Sequence, residues 1–351
     1  MLIIKRIISL FAAAALLTFT SADADNVPAV SAKCCAVMYH GRCLYEKNAD
    51  LRVPIASTTK LMTAVVVIEN CDMDEIVTID SECCGIEGSS MYLEAGQELT
   101  TEELLKGLLL VSGNDAAAAL AKHTAGSVDA FAELMNRKAA ELGMDDTHFT
   151  NPHGLNDPMH YSTARDMARL MEYCLQNSIF REINALKSCT VNGLTLINHN
   201  KLLLMCRGCT GGKTGFTEAA GRCLVSSCER NGAELVCVTL NDPDDWKDHL
   251  TLYDRAYSEY ELRNVTDGIR FSVPIISAET DRAYLIPEGS NTVFIKRGSE
   301  AKLTARLPWF VFAPVQKGEA GGKAEISVDG EQIGEYYLVY SDNIPLGKDN
   351  S

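Results

Sequence analysis

Ala56-Ser57-Thr58-Thr59-Lys60-Leu61-Met62-Thr63-Ala64-Val65-Val66-Val67-Ile68-Glu69 is the stretch on which the fold turns. From Thr58 to Glu69 it is apolar nearly all round, and a helix of that kind belongs inside a core. Its opening Ser57-x-x-Lys60 sets a hydroxyl one turn before an amine. Two further short motifs follow in order: Ser112-Gly113-Asn114 after an apolar run, and Lys213-Thr214-Gly215 at the start of a predicted strand. A lone S-x-x-K is common by chance. Three motifs in this order, each in a fitting structural context, are not.

The residue types suit acyl transfer. Ser57, at the first turn of a buried helix, lies beside backbone N–H groups and the positive helix end, where an oxyanion could be stabilised. Lys60 is close enough along the helix to reach back to the Ser57 oxygen. Its amine, desolvated and near another cation, would lose its proton readily and serve as a base. A short loop could aim Ser112 and Asn114 into one cleft, Ser112 to relay a proton and Asn114 to hydrogen-bond a substrate amide. Lys213 and Thr214 can bind a carboxylate, and Gly215 lets substrate lie against the strand edge. No acid stands among these motifs, which favours an anionic substrate with a free C-terminal carboxylate. Each motif alone has a plainer reading: a Ser N-cap with a surface Lys, a Ser or Asn cap before the next helix, and an exposed strand terminus.

Around these motifs the chain changes period. Ala36 to Tyr39 and Cys43 to Tyr45 read as two strands joined at Gly41-Arg42. Helices are expected over Thr101 to Val111, Asp115 to His123, Val128 to Leu142 and Ser162 to Cys174. Gly211 to Phe216, Gly221 to Glu229 and Glu234 to Asn241 read as antiparallel strands, with Arg230-Asn231-Gly232 a strong hairpin signal. A closing helix is expected over Asp244 to Leu262. Beyond Asn264 come short strand-like runs, with Gly318 to Gly322 read as a loop. This organisation predicts an export signal over 1–24, a catalytic domain over 25–263, a small all-β domain over 264–345 and a polar tail over 346–351.

The start of the chain reads as a cleavable signal. Lys5 and Arg6 precede an apolar run shorter than the ~20 residues needed to span a bilayer, and Ala22-Asp23-Ala24 offers a cleavage site. The 351 residues are 46% hydrophobic and 23% charged, with a formal net charge of -15. Such a charge argues against nucleic acid as a partner and against attraction to anionic lipid. Thirteen cysteines are many for an exported chain,. Cys34-Cys35 and Cys83-Cys84 are adjacent and several others sit in apolar stretches, so most are expected to be buried thiols. Cys206-Arg207-Gly208-Cys209 lacks a second ligand pair for zinc. The seven histidines show no metal-ligand spacing, and no metal or cofactor is expected. His153 is read as fixing its loop rather than as catalytic. G-x-S-x-G, H-E-x-x-H and Walker motifs are all missing from the sequence.

The order S-x-x-K, S-x-N, K-T-G is an established signature of penicillin-binding proteins and β-lactamases. With Asn151-Pro152-His153-Gly154-Leu155, Asn200-Lys201-Leu202 and Lys213-Thr214-Gly215-Phe216-Thr217, the chain resembles the serine-type D-alanyl-D-alanine carboxypeptidases over about Ala36 to Tyr340. These are low-molecular-mass penicillin-binding proteins of peptidase family S11. The resemblance implies an α/β (α+β) fold: a penicillin-binding, β-lactamase-like antiparallel sheet with an all-helical insertion, plus a small all-β C-terminal domain. It implies Ser57, Lys60 and Ser112 as catalytic residues. It implies Asn114, Lys213, Thr214, Gly215 and Phe216 as substrate-binding residues, with the N–H groups of Ser57 and Phe216 forming the oxyanion hole. Implied partners are a peptidoglycan stem peptide and β-lactam antibiotics, and the implied location is the cell wall or outer face of the cytoplasmic membrane. Many members end in an amphipathic membrane-surface helix. Here Ser341 to Ser351 is short and polar, which puts membrane attachment in doubt.

Two rivals remain at this point. A β-lactamase would need a carboxylate to activate water, and Asn151 to Tyr161 lacks the usual E-x-x-x-N loop. An inactive peptidoglycan-binding protein would keep the cleft for recognition only. Transpeptidase or endopeptidase activity would need only another acceptor or bond in the same cleft.

Overall fold

The computed structural model describes residues 29–289 and 292–347. The predicted export signal and the end of the polar tail, 348–351, lie outside them.

Strands β1 (Cys34–Tyr39) and β2 (Arg42–Lys47) form the first hairpin, with His40 and Gly41 both at positive φ in the turn. A 3-10 turn at Ala56–Thr59 then leads into α1 (Lys60–Asn70). All residues from Lys60 to Val67 in α1 are buried. Each fully buried Val, Leu or Met side chain there contributes about 1.5–3 kcal/mol relative to exposure. The expected helix is therefore present, but Ser57 stands in the tighter turn before it.

The insertion that follows is mostly helical. Strands β3 (Ile76–Thr78) and β4 (Glu98–Thr100) pair across a long loop. Helix α2 (Thr101–Leu110) starts at a capping box, the Thr100 hydroxyl accepting from Glu103 N–H while Glu103 reaches back to Thr100 N–H,. Helices α3 (Asn114–Ala125), α4 (Val128–Glu141), α5 (Ala164–Cys174) and α6 (Ser178–Asn184) follow. Side chains of Ser127, Thr163 and Asn177 cap three of them,. A small hairpin, β5 (Ser188–Val191) with β6 (Leu194–Ile197), and the short α7 (Leu202–Met205) return the chain to the main sheet.

Strands β7 (Cys209–Thr217), β8 (Gly221–Arg230) and β9 (Ala233–Leu240) complete that sheet in the order β2-β1-β9-β8-β7, all antiparallel. Asn231 and Gly232 take positive φ at the β8–β9 turn, as the Asn-Gly signal predicts,. Helix α8 (Asp245–Glu259) packs on β8 and β9, while α1 and α5 lie in the larger core on the other side. The antiparallel sheet implied by the family resemblance is the observed architecture, but its insertion is not all-helical, because β3–β4 and β5–β6 form two small hairpins within it. The closing helix is shorter than expected, because Tyr260–Asn264 is a strand, β10, paired with β13 (Thr292–Lys296).

The C-terminal strands are β11 (Phe271–Ile276), β12 (Arg282–Pro287), β13, β14 (Ala301–Arg306), β15 (Val311–Phe312), β16 (Ala320–Val328) and β17 (Glu331–Tyr340). Six of them form a sheet in the order β14-β16-β17-β12-β11-β15. Phe294 of β13 joins this part to the first, packing on Tyr39, Tyr257 and Tyr260. One expectation fails here: Gly321 and Gly322 are strand, not loop. A Cβ on Gly321 would stand 2.5 Å from Leu285 Cδ2 and 2.6 Å from the Tyr340 ring, so this glycine permits close packing inside the sheet rather than a turn,.

All thirteen cysteines are free, eight of them buried and none exposed. Burial pushes the Cys35 and Cys223 thiols up to about 12. Most of the thirteen are buried thiols, the small hydrophobes expected,.

Candidate active site

The site forms where the 3-10 turn, the first residue of α1, the first residue of α3 and the middle of β7 meet. Ala56 and Ser112 both hold positive φ (49° and 62°), an uncommon conformation for residues with a side chain,. Each lies in a loop that delivers a motif residue, where such strain is most often found.

Lys60 is fully buried at the centre, which rules out the surface-lysine reading. Its Nζ lies 2.9 Å from Ser57 Oγ, 2.7 Å from Asn114 Oδ1 and 2.8 Å from the His153 carbonyl oxygen. Asn114 is held in that orientation because its Nδ2 donates to the Glu87 carbonyl at 2.6 Å. Burial drives the Lys60 amine well below the usual lysine range, and the nearby Lys213 charge adds to the effect,. A neutral amine has two N–H groups and one lone pair. Two of its three neighbours, Asn114 Oδ1 and the His153 carbonyl, can only accept. They take the two hydrogens, so the lone pair is left facing the Ser57 hydroxyl.

Lys213 is also buried, 1% exposed, so it is no exposed strand terminus. Burial lowers its amine to about 7. Its Nζ donates to the Thr214 carbonyl at 2.9 Å. Gly215 passes against the nucleophile's backbone: a Cβ there would stand 2.9 Å from Ser57 N and 3.1 Å from Ile55 O. Phe216, next on the strand, is 65% exposed. Ser112 Oγ is buried without a hydrogen-bond partner among the described residues. A buried hydroxyl of this kind can bond a substrate group that enters the cleft.

Two contributions escaped the sequence. The His153 carbonyl is a backbone group, and side-chain motifs do not reveal it. Its loop is fixed by Asn151, whose Oδ1 accepts from Gly154 N–H at 2.7 Å, and by Thr63, which donates to the Pro152 carbonyl at 2.6 Å. The His153 ring itself is held near 3 by burial and stays neutral, consistent with a loop-fixing residue. The second is Asp115. No acid was expected near the motifs, yet Asp115 is fully buried beside Asn114 and its charge opposes the fall in Lys60. Its oxygens are engaged in holding the 90–93 loop, accepting from Ser90 Oγ (2.5 Å), Met91 N–H (2.9 Å) and Leu93 N–H (3.1 Å).

The D-alanyl-D-alanine carboxypeptidase family model of peptidase S11 matches residues 20–244, and that of the penicillin-binding protein 5 C-terminal domain matches 267–346. D-alanyl-D-alanine carboxypeptidase DacF of Bacillus subtilis is 32% identical over 316 residues, 84% of this chain and 80% of the relative. DacA of Escherichia coli is 32% identical over 341 residues, 88% of this chain and 81% of the relative. Among solved structures, penicillin-binding protein 5 of Haemophilus influenzae superposes with a TM-score of 0.76 at 29% identity, over 91% of this chain and 98% of that one.

Proposed function

The chain belongs to the D-alanyl-D-alanine carboxypeptidase family and is a hydrolase of that kind, and from that premise we propose that it trims the terminal D-alanine from peptidoglycan stem pentapeptides through an acyl-enzyme on Ser57. The observation that carries this reading is the pairing of Lys60 with Ser57, its lone pair directed by Asn114 and the His153 carbonyl.

Lys60 Nζ takes the Ser57 proton as Ser57 Oγ bonds to the carbonyl carbon between the last two D-alanines. The developing oxyanion is met by the N–H groups of Ser57 and Phe216. The C–N bond then breaks, and Ser112, otherwise unpartnered, passes a proton to the leaving amine of D-alanine. Protonated Lys213, with Thr214, binds the terminal carboxylate, and Asn114 and the Gly215 edge align the peptide. Water attacks the Ser57 ester, giving the shortened stem peptide, which can no longer donate to cross-linking. A β-lactam presents a similar amide and carboxylate and would acylate the same oxygen. The enzyme works outside the cytoplasm, with the catalytic residues in the 25–263 unit and the all-β 264–345 unit appended to it. Among the described residues no helix is long and apolar enough to cross a membrane.

Intact mass after benzylpenicillin treatment, beside D-alanine release from a diacetyl-Lys-D-Ala-D-Ala peptide, tests the reading. A lasting penicilloyl adduct on Ser57 together with D-alanine release supports it. Fast penicillin turnover without D-alanine release would make the protein a β-lactamase. Peptide binding with neither adduct nor release would make it a binding protein.

A further inference from the structure

Helices α1 and α3 both begin at the catalytic cleft, at Lys60 and Asn114. At their other ends three side chains with metal-ligand chemistry converge. Cys71 follows the last residue of α1, Glu75 stands in the turn after it, and His123 lies in the last turn of α3. The Cys71 sulfur, a Glu75 carboxylate oxygen and a His123 ring nitrogen all lie within 4.8 Å of one another. His123 Nε2 faces Glu75 Oε2 at 3.3 Å. Donors around a tetrahedral zinc ion stand roughly 3.3–3.8 Å apart, given the usual zinc–ligand bond lengths. Small side-chain rotations would therefore bring these three onto one ion.

The surroundings favour a cation. Two helices end here, and each presents the negative end of its dipole. Asp72 and Asp74 lie between Cys71 and Glu75 in the sequence and add carboxylates to the same turn. The neighbouring cation, Lys122, is already bound to Asp80 (2.8 Å) and Glu82 (2.7 Å). Cys71 and His123 are half-buried and Glu75 is exposed, so an ion has a way in and room for a water ligand.

We propose that Cys71, Glu75 and His123 bind one zinc-like divalent transition-metal ion, completed by water, that clamps the distal ends of α1 and α3. A thiolate and an imidazole select zinc or cobalt over magnesium or calcium. Cys71 stands eleven residues after Lys60 and His123 nine after Asn114, so at 1.5 Å per residue the ion lies roughly 14–17 Å along the helices from the cleft,. Its role is to hold two helices whose near ends carry the cleft, not to touch substrate. Sequence spacing hides the site, because only the turn closed by Glu75 N–H to the Asp72 carbonyl (3.2 Å) folds Glu75 back towards Cys71.

The test uses the full chain, reduced and stripped with chelator. Zinc binding is measured by competition with a chromophoric chelator, and cobalt binding by its thiolate charge-transfer band. One equivalent should bind and raise the melting temperature. Affinity should fall at least about tenfold in Cys71→Ser and in His123→Gln, with the cobalt–thiolate band lost in Cys71→Ser. Cys206→Ser is the control, because Cys206 and Cys228 form a separate thiol pair with sulfurs 3.8 Å apart. It should change nothing. D-alanine release by folded His123→Gln should match the parent. No binding by the parent, binding untouched by His123→Gln, or binding lost only in Cys206→Ser would each overturn the proposal.

Discussion

The Lys60 amine and the His153 carbonyl stand 2.8 Å apart, and this contact joins the base to the 151–155 loop through a backbone group rather than through a motif side chain. The loop can approach because Gly154, at φ +86°, has no Cβ: one there would meet Ala56 O at 1.9 Å. Gly154→Ala should therefore push the loop off Lys60. We expect kcat/KM for D-alanine release to fall about 100-fold and the melting temperature to drop. His153→Ala keeps the carbonyl and should lose less than about tenfold. Equal losses in the two variants would place the effect in the ring instead.

The two lysines set opposite limbs of the pH profile. Lys60 must be neutral to act as a base, and its depressed value supplies the rising limb. Lys213 must be charged to hold the carboxylate, and in the free enzyme it loses its proton near 7. The kcat/KM profile should therefore fall above about pH 7. The bound carboxylate favours charged Lys213, so the fall in kcat should come at higher pH. Asn114→Asp places a negative charge beside Lys60 and should move the rising limb up by about 1–3 pH units. Steady-state rates between pH 5 and 10 read both effects.

The same depressed amines make the cleft costly to the fold. In the unfolded chain Lys213 keeps its proton to about its ordinary 10.5; in the folded protein it loses it near 7. Between these values the unfolded state binds more protons, so stability rises with pH across that window. Lys213→Met should stabilise the protein by on the order of 1–4 kcal/mol at pH 6 while abolishing turnover. Ser112→Ala removes an unpartnered buried hydroxyl and should leave the melting temperature level or higher, with kcat reduced. Urea unfolding beside activity assays separates the two effects.

Asp115 is a structural counterpart. Asn in its place would turn one acceptor into a donor facing backbone N–H groups. Asp115→Asn should cost about 1–3 kcal/mol, read as a lower urea midpoint.

Much of this was legible in the sequence because the relevant information is local. The apolar run after Lys60, the Asn231-Gly232 turn and the three motifs each act over a few residues. What escaped was non-local. The carbonyl of His153 reaches Lys60 only through a loop held by Asn151 and Thr63. Tyr260 to Leu262 reads as a continuation of α8, yet partners on β13 draw it into a strand. Gly321 looks like a turn residue until Leu285 and Tyr340 are packed over it.

The sheet order carries a consequence for how the chain is made. Cys34 lies opposite Leu240, so β1 and β9 are partners separated by roughly 200 residues, and closure of so distant a pair is slow. A polypeptide that emerges N-terminus first holds β1 and β2 for a long interval with one edge unsatisfied. Ser57 and Lys60 have left the exit well before Lys213 exists to face them. The cleft is thus complete only once β9 (Ala233–Leu240) has arrived to close the sheet, with residues 241–351 still to follow.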